Sequence, residues 1–174
     1  DLVTGVQTCA LPIFIQTIVP IIYKECVIKF GKPRTAAGLL AEFAVFGLGK
    51  FGGRALGYAS DIELIVIYSD SGKTDNNRSN AEFFEAFVVL LENSIESKKD
   101  GIFELDFRLR PYGKNGPKAV SLDSFCRYYG HDGESHFYER LSLVRLRGIA
   151  GNISLRKQIE RLRESFVYEA PTLD

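Results

Sequence analysis

Methionine is missing from all 174 residues, so the chain has no initiator and is expected to be part of a longer polypeptide. Cysteine is scarce: Cys9, Cys26 and Cys126 are odd in number and far apart, which excludes a disulfide framework and a Cys-x-x-Cys metal site. This usage fits a reducing cytoplasm. Histidine occurs twice, and because His131 and His136 have no acidic partner at zinc-binding spacing, we interpret them as surface residues.

An excess of charge of either sign is also missing, since 22 basic residues balance 22 acidic ones. Proteins that bind nucleic acid usually carry excess basic charge, so nucleic acid is not an expected partner. The apolar run up to Tyr23 is interrupted by Pro12, Gln16 and Pro20, and is predicted neither to span a membrane nor to be a signal peptide. Residues 1–13 show no period and no helix caps, and we expect them to be a non-native leader.

Several segments have helical patterns. A helix is predicted within Phe14–Phe30, starting near Pro20 because proline disrupts a helix interior. Ser79 and Glu82 form the sequence signature of a capping box. The apolar stripe of the helix that follows consists of Phe83, Phe84, Phe87, Val88, Leu91 and Ile95. Further helices are predicted from Ser121 to Tyr129, from Glu134 to Leu146 and from Ser154 to Val167, so that everything beyond Ser121 is expected to be helical.

Two acidic residues stand at the start of a very apolar segment. Residues Ile62 to Tyr68 are apolar or β-branched except Glu63, which predicts a buried central strand. Side chains alternate along a strand, so the carboxylates of Asp61 and Glu63 point to the same face. Paired acids at the mouth of a core strand are costly without a cation between them, and Mg²⁺ favours carboxylate oxygens together with substrate phosphates.

A second candidate strand alternates apolar and charged residues from Phe103 to Arg110. One of its faces should be buried, and the other carries Glu104, Asp106, Arg108 and Arg110. If the two strands are neighbours, Asp106 is a third candidate ligand, and the two arginines are candidate donors to phosphate oxygens. For this strand taken alone, a solvated face with internal ion pairs is the alternative.

A glycine-rich turn, GLGKFGGR, occupies residues 47–54, between two apolar segments. It is not a Walker A loop, because the four-residue gap is absent and Phe51 stands where Ser or Thr should bind magnesium. It does match G-x-G-x-x-G, and Asp70 could bind a ribose, so a dinucleotide-binding Rossmann domain is a rival interpretation. The other interpretation is a turn that opens a short helix, from about Gly53 to Ala59, and binds a triphosphate. Only this second interpretation also accounts for the acids.

Three blocks resemble, in the same order, the glutamate–ammonia ligase (glutamine synthetase) adenylyltransferase family: GLGKFGGRALGYASDIELIVIY, FELDFRLRPYGKNGPKAVSLDSF and YERLSLVRLRGIAG. The resemblance covers about Phe43 to Gly151. It implies an α+β fold with a nucleotidyltransferase sheet like that of DNA polymerase β, flanking helices and the start of a helical bundle. It also implies a catalytic core at 14–120 and, at 121–174, a helical segment that begins the following domain.

The same resemblance implies that Asp61, Glu63 and Asp106 are catalytic metal ligands, with Glu63 standing where the family usually has Asp. Arg145 and Arg147 match a charged block of the family and could approach substrate, although a solvated helix face is the alternative for them. The implied nucleotide-binding residues are Gly49, Lys50, Gly52, Gly53, Arg54, Ser60, Arg108 and Arg110.

The reaction implied by the resemblance is Mg²⁺-dependent. ATP would adenylylate a tyrosine of glutamine synthetase, or the adenylyl group would be removed by phosphorolysis. The implied partners are glutamine synthetase and, as a further candidate, a PII signalling protein, with no nucleic acid and no membrane, in the cytoplasm. Besides the NAD-binding oxidoreductase domain, the remaining alternative is a catalytically inactive nucleotide-sensing module of the same fold.

Overall fold

A computed structural model describes residues 2–57, 60–96 and 104–168. Its sheet and helices confirm the predicted α+β class. Short 3₁₀ turns occupy Gly113–Asn115 and Ser142–Arg145. The elements in chain order are α1 (Leu2–Phe30), β1 (Phe43–Gly47), α2 (Gly49–Gly52), β2 (Ile62–Tyr68), α3 (Asn80–Glu96), β3 (Leu105–Asp106), β4 (Ala119–Ser121), α4 (Leu122–Tyr129), α5 (Phe137–Leu141), β5 (Arg147–Gly151) and α6 (Ile153–Tyr168).

The sheet is mixed, with the order β3-β2-β1-β5 and with β4 also paired to β2. Strand β1 is antiparallel to β2 and to β5, whereas β3 and β4 run parallel to β2. Strand β3 pairs with the first two residues of β2 and β4 with the last three, so these two short strands share one edge of β2. The chain between them, residues 107–118, therefore leaves the sheet at that edge.

Strand β2 is buried on both faces, as its continuous apolar sequence predicts. Ile62, Leu64 and Val66 belong to a core that includes residues of α1 and α3. Ile65 and Ile67 belong to a second core, which includes residues of α4 and α6. The sheet is therefore a layer between two groups of helices.

Helix α1 is continuous, so the prediction that it begins near Pro20 is wrong, because both Pro12 and Pro20 lie inside it. Its buried face packs on the first core through Leu11, Ile15 and Val19, and tertiary packing of this kind stabilises a helix against unfavourable local propensity. Within the described residues, Ala10–Phe30 is one helix long and apolar enough to cross a membrane, contrary to the expectation from the sequence. Length and composition alone are weak evidence for a membrane span, since a buried core helix and an N-terminal signal sequence meet the same criteria, and 33% of this window is buried. The leader assignment of residues 1–13 stays a prediction.

Helix α3 begins as the capping box predicts. The Glu82 N–H donates to Ser79 Oγ at 3.2 Å, and the Ser79 N–H donates to Glu82 Oε2 at 3.0 Å. All six residues of the predicted apolar stripe are buried. The predicted contact of this helix with the sheet is confirmed, because the stripe belongs to the first core.

We expect Ser79→Ala to lower the free energy of unfolding by about 1 kcal/mol, because it removes one acceptor for the orphan N–H groups of the first turn. Urea denaturation followed by circular dichroism measures this. Ser154→Ala, at an exposed serine inside α6, is the matched control and should change the stability far less. Equal effects of the two substitutions would show that the capping box does not stabilise α3.

The strand topology excludes the Rossmann alternative. A Rossmann unit needs parallel strands joined by a crossover helix, but β1 and β2 are antiparallel neighbours, with Gly47 opposite Leu64. Helix α2 has only 4 residues, and the predicted helix from Gly53 to Ala59 is wrong, because residues 53–57 form turn and coil while 58 and 59 lie outside the described residues. Asp70 follows the opposite end of β2 from the glycine turn, and its Oδ1 accepts the Ala36 N–H at 3.1 Å.

The prediction that everything beyond Ser121 is helical is also wrong. Helices α4 and α6 form where they were predicted, but the region expected to be one helix from Glu134 to Leu146 contains only the 5 residues of α5 and a 3₁₀ turn. Strand β5 follows and pairs with β1 at the edge of the sheet. The sheet therefore includes a strand, β5, that lies after residue 120, the predicted end of the catalytic core.

Candidate active site

The three predicted acids lie at one corner of the sheet. Glu63 on β2 and Asp106 on β3 are direct partners in the parallel pairing, so their side chains leave the same face. Asp61 precedes β2 and is exposed, and its Oδ2 lies 3.9 Å from Nη2 of Arg108. The prediction that the two strands are neighbours is confirmed. Strand β3 is only 2 residues long, and Phe103, the predicted start of that strand, lies outside the described residues.

Arg108 forms an ion pair and several hydrogen bonds with Asp106. Its Nε donates to both carboxylate oxygens of Asp106, at 2.9 and 2.8 Å, and its backbone N–H donates to Oδ1 at 2.7 Å. Burial alone would raise the pKa of Asp106, but the hydrogen bonds and positive charge of Arg108 outweigh it and leave the pKa below its ordinary value. Asp106 is therefore ionised at neutral pH. Its ionised form stabilises the folded chain, and this contribution to the free energy of unfolding is lost only as the pH falls through the lowered pKa of Asp106.

Glu63 contacts the start of the glycine turn. Its Oε2 accepts the backbone N–H of Lys50 at 3.0 Å. Gly49 has a φ of +46°, and a Cβ built on it would lie 1.7 Å from that same oxygen. The backbone conformation therefore favours glycine at residue 49, and any larger residue would also displace the Glu63 carboxylate from the turn.

Two arginines pack on the same turn: Arg145, which precedes β5, and Arg147, the first residue of β5. A Cβ on Gly52 would lie 2.0 Å from the carbonyl oxygen of Arg145. Arg147 donates from Nε to the Gly52 carbonyl and from Nη2 to the Phe51 carbonyl, both at 2.9 Å. The sequence associated both arginines with substrate or with solvated helix faces, but the structure places Arg147 as an anchor of the turn.

Three further predicted nucleotide-binding residues differ in their surroundings. Lys50 and Arg54 are exposed beside the turn, and Arg54 has a φ of +58°. Ser60 is buried instead, and its Oγ accepts the Gly57 N–H at 3.1 Å. The two exposed cations are therefore available to an anion, whereas the hydroxyl of Ser60 stabilises the loop that leads to Asp61.

Arg108 is exposed but Arg110 is not, so the predicted alternation of buried and open positions fails after Phe107. Arg110 is buried, and its guanidinium donates to the carbonyls of Phe107 and Gly116, the latter at 3.1 Å from Nε and 3.0 Å from Nη2. A third carbonyl, that of Lys114, lies 3.4 Å from Nη2. Arg110 thus stabilises the loop after β3, and its donors are engaged by the backbone.

Two of the three acids, Asp61 and Asp106, line one side of a polar cavity of about 330 Å³, whereas Glu63 is not part of its lining. Its walls include Asp61, Asp106, Arg108 and two lysines of the loop before β4, Lys114 and Lys118. In the described part of the chain, no three His, Cys, Asp or Glu side chains are grouped closely enough to hold a metal ion as they stand. The backbone therefore brings the acids near one another, while Arg108 pairs with Asp106, its Nη2 lies 3.9 Å from Oδ2 of Asp61, and the Lys50 N–H donates to Glu63.

Comparison with known proteins matches residues 9–162 to the family model described as glutamate-ammonia ligase adenylyltransferase. A bifunctional glutamine synthetase adenylyltransferase/adenylyl-removing enzyme of Methylococcus capsulatus is 33% identical over 158 residues, which is 88% of this chain and 16% of the relative. Proteins with the same description from Aromatoleum aromaticum and Burkholderia mallei are 31% and 34% identical, each over 95% of this chain and over 18% and 19% of their own lengths.

The chain therefore spans less than a fifth of the length of these relatives. The family model nevertheless covers most of the chain, including the glycine turn, all three acids and both arginines that pack on the turn. The same residues carry the resemblance that the sequence shows. The chain belongs to the glutamate-ammonia ligase adenylyltransferase family.

Proposed function

We propose that this site transfers an adenylyl group: from ATP to a tyrosine hydroxyl of glutamine synthetase, or in the opposite sense by phosphorolysis. The observation that carries the proposal is the in-register pairing of Glu63 with Asp106, beside Asp61 and a glycine turn. The descriptions of the relatives, which name both adenylyl transfer and adenylyl removal on glutamine synthetase, support it.

The residues fit a magnesium site by their chemistry. Asp61, Glu63 and Asp106 offer only carboxylate oxygens, the ligands that Mg²⁺ prefers, and these three would hold the ions. When bound, two Mg²⁺ ions would lower the pKa of the attacking hydroxyl and stabilise the leaving phosphate. Asp106 becomes available when Arg108 leaves it, and Glu63 when it releases the Lys50 N–H.

The other side chains bind and orient the nucleotide. Lys50 and Arg54 are exposed cations beside the turn and would contact phosphate oxygens. The turn at Gly52 and Gly53 carries no side chain, so the nucleotide can approach its backbone closely. Arg108, once released from Asp106, would neutralise the charge that develops during transfer.

The proposed setting follows from the same arguments. Glutamine synthetase is the proposed macromolecular substrate, and a PII-type signalling protein is a further candidate partner. The reaction is proposed to take place in the cytoplasm, since the described cysteines, Cys26 and Cys126, are free thiols.

Calorimetry of ATP binding to the 174-residue chain tests the proposal. We expect ATP to bind only in the presence of Mg²⁺, and we expect Asp61→Ala combined with Glu63→Ala to abolish that binding, because too few ligands remain. The control combines Asp123→Ala with Glu164→Ala, two exposed acids on α4 and α6, and should bind like the parent chain.

Binding of ATP without Mg²⁺, or its persistence in the Asp61→Ala/Glu63→Ala variant, would contradict the proposed metal site. An assay of adenylyl transfer and of phosphorolysis with glutamine synthetase then separates the enzyme from its remaining alternative. Mg²⁺-dependent ATP binding with reaction in neither direction would favour the inactive nucleotide-sensing module.

A further inference from the structure

Arg145 lies along the glycine turn, and its charged end has no partner among the residues that the structure describes. A Cβ on Gly53 would lie 2.9 Å from Cδ of Arg145 and 3.4 Å from its Nε, so this side chain covers the residue that has none. Arg145 is exposed, and within the described residues its guanidinium forms no hydrogen bond or ion pair. Its planar set of N–H donors is therefore available to a ligand at the turn.

The backbone holds Arg145 in this place. Its carbonyl oxygen is in contact with Gly52, where a Cβ would approach it to 2.0 Å. Two residues later, Arg147 donates to the carbonyls of Phe51 and Gly52, and its guanidinium lies 5.8 Å from the centre of the Phe51 ring. These contacts fix the backbone of Arg145 beside the turn, so its side chain starts from the turn.

The surroundings of Arg145 favour an anion. Lys50 and Arg54 are also exposed at this turn, and the positive charge of Arg54 acts on Arg147. The nearby carboxylate of Glu63 accepts the Lys50 N–H at the other end of the turn. Cations of like charge on one turn repel one another, and a multiply charged anion bound at the turn would reduce that repulsion.

We infer that Arg145 is a further nucleotide-binding residue, which contacts a phosphate group and so selects a nucleoside triphosphate over an uncharged nucleoside. The inference rests on the proposed function, because it assumes that the nucleotide lies at the glycine turn. Arginine suits this contact because its forked donors bind two oxygens of one phosphate, which a lysine cannot do.

Titrations of ATP with Mg²⁺, and of adenosine, into the 174-residue chain and its Arg145→Ala variant test the inference. The Kd for ATP should rise about tenfold to a hundredfold, the loss typical of a hydrogen-bonded charge contact, while the Kd for adenosine stays constant. The Kd of Arg145→Lys for ATP should lie between the values of the parent chain and of Arg145→Ala, since lysine keeps the positive charge but lacks the forked donors. The melting temperature should not change, because the side chain is exposed and unpaired within the described residues.

Arg161→Ala, at an exposed arginine of α6, is the matched control and should leave both Kd values unchanged. Equal ATP affinity in the parent chain and in Arg145→Ala would overturn the inference, and so would an equal loss of ATP and adenosine affinity with a lowered melting temperature. In either case the proposed function stands if Asp61→Ala with Glu63→Ala still abolishes ATP binding. A parent chain that binds no ATP overturns both.

Discussion

Asp106→Asn is expected to lower the rate of the proposed adenylyl transfer at least about a hundredfold, the size of effect seen when one electrostatic group of an active site is removed. The amide loses the negative charge that a metal ligand supplies. It keeps an oxygen that can still accept the Arg108 N–H, which now donates to Oδ1 of Asp106 at 2.7 Å. Transfer of labelled adenylyl groups to glutamine synthetase measures the rate, and a thermal melt measures the stability.

Asp123→Asn is the matched control for this substitution. Asp123 also pairs with an arginine, Arg127, but on the exposed surface of α4. The Asp123→Asn substitution should leave the transfer rate unchanged, since exposed ion pairs of this kind contribute little to stability. If Asp106→Asn transferred adenylyl groups as fast as the Asp123→Asn control, Asp106 would not belong to the catalytic machinery.

Gly52→Ala is expected to destabilise the chain by about 1–3 kcal/mol, the usual cost of overpacking, and to weaken ATP binding. The added Cβ would lie 2.0 Å from the carbonyl oxygen of Arg145 and 2.6 Å from that of Gly47. Both are backbone atoms, so neither can move aside as a flexible side chain would. The turn must shift, and the anchor formed by Arg147 must lengthen or break.

Gly57→Ala provides the comparison within the same loop. There the nearest atom to the added Cβ is Ser60 Oγ at 3.5 Å, an ordinary contact, so stability and ATP affinity should both stay near those of the parent chain. Urea denaturation and calorimetry measure the two quantities. Parent-like stability of Gly52→Ala would show that the turn and the segment before β5 pack less closely than the structure indicates.

The acids could be predicted from the sequence because strand periodicity is local. Apolar residues from Ile62 to Tyr68 define a buried strand, and an interval of two residues places Asp61 and Glu63 on one side of it. The register that sets Asp106 beside Glu63 depends on a parallel pairing of residues 43 apart in the sequence (106 − 63), and no local pattern specifies it. The resemblance to the family connected the two stretches.

Arg110 and β5 show where local patterns fail. The alternation up to Arg110 predicts an open face, but the chain turns after Phe107 and the carbonyl of Gly116 returns to meet the guanidinium. Strand β5, with the sequence RGIAG, has no apolar alternation of its own. It becomes a strand because it pairs with the free edge of β1. This is a tertiary effect, which the strand propensity of the local sequence cannot predict.

The bond from Arg147 to Gly52 joins groups 95 residues apart in the sequence. Since a ribosome releases the N-terminal part of a chain first, the glycine turn and its neighbouring acids emerge long before the arginine that fixes the turn. Closing so long a loop is slow compared with local folding, so the proposed nucleotide-binding corner is among the last parts to become rigid. During synthesis, a nascent chain that ends before β5 would carry every proposed metal ligand and still lack a fixed place for the phosphates.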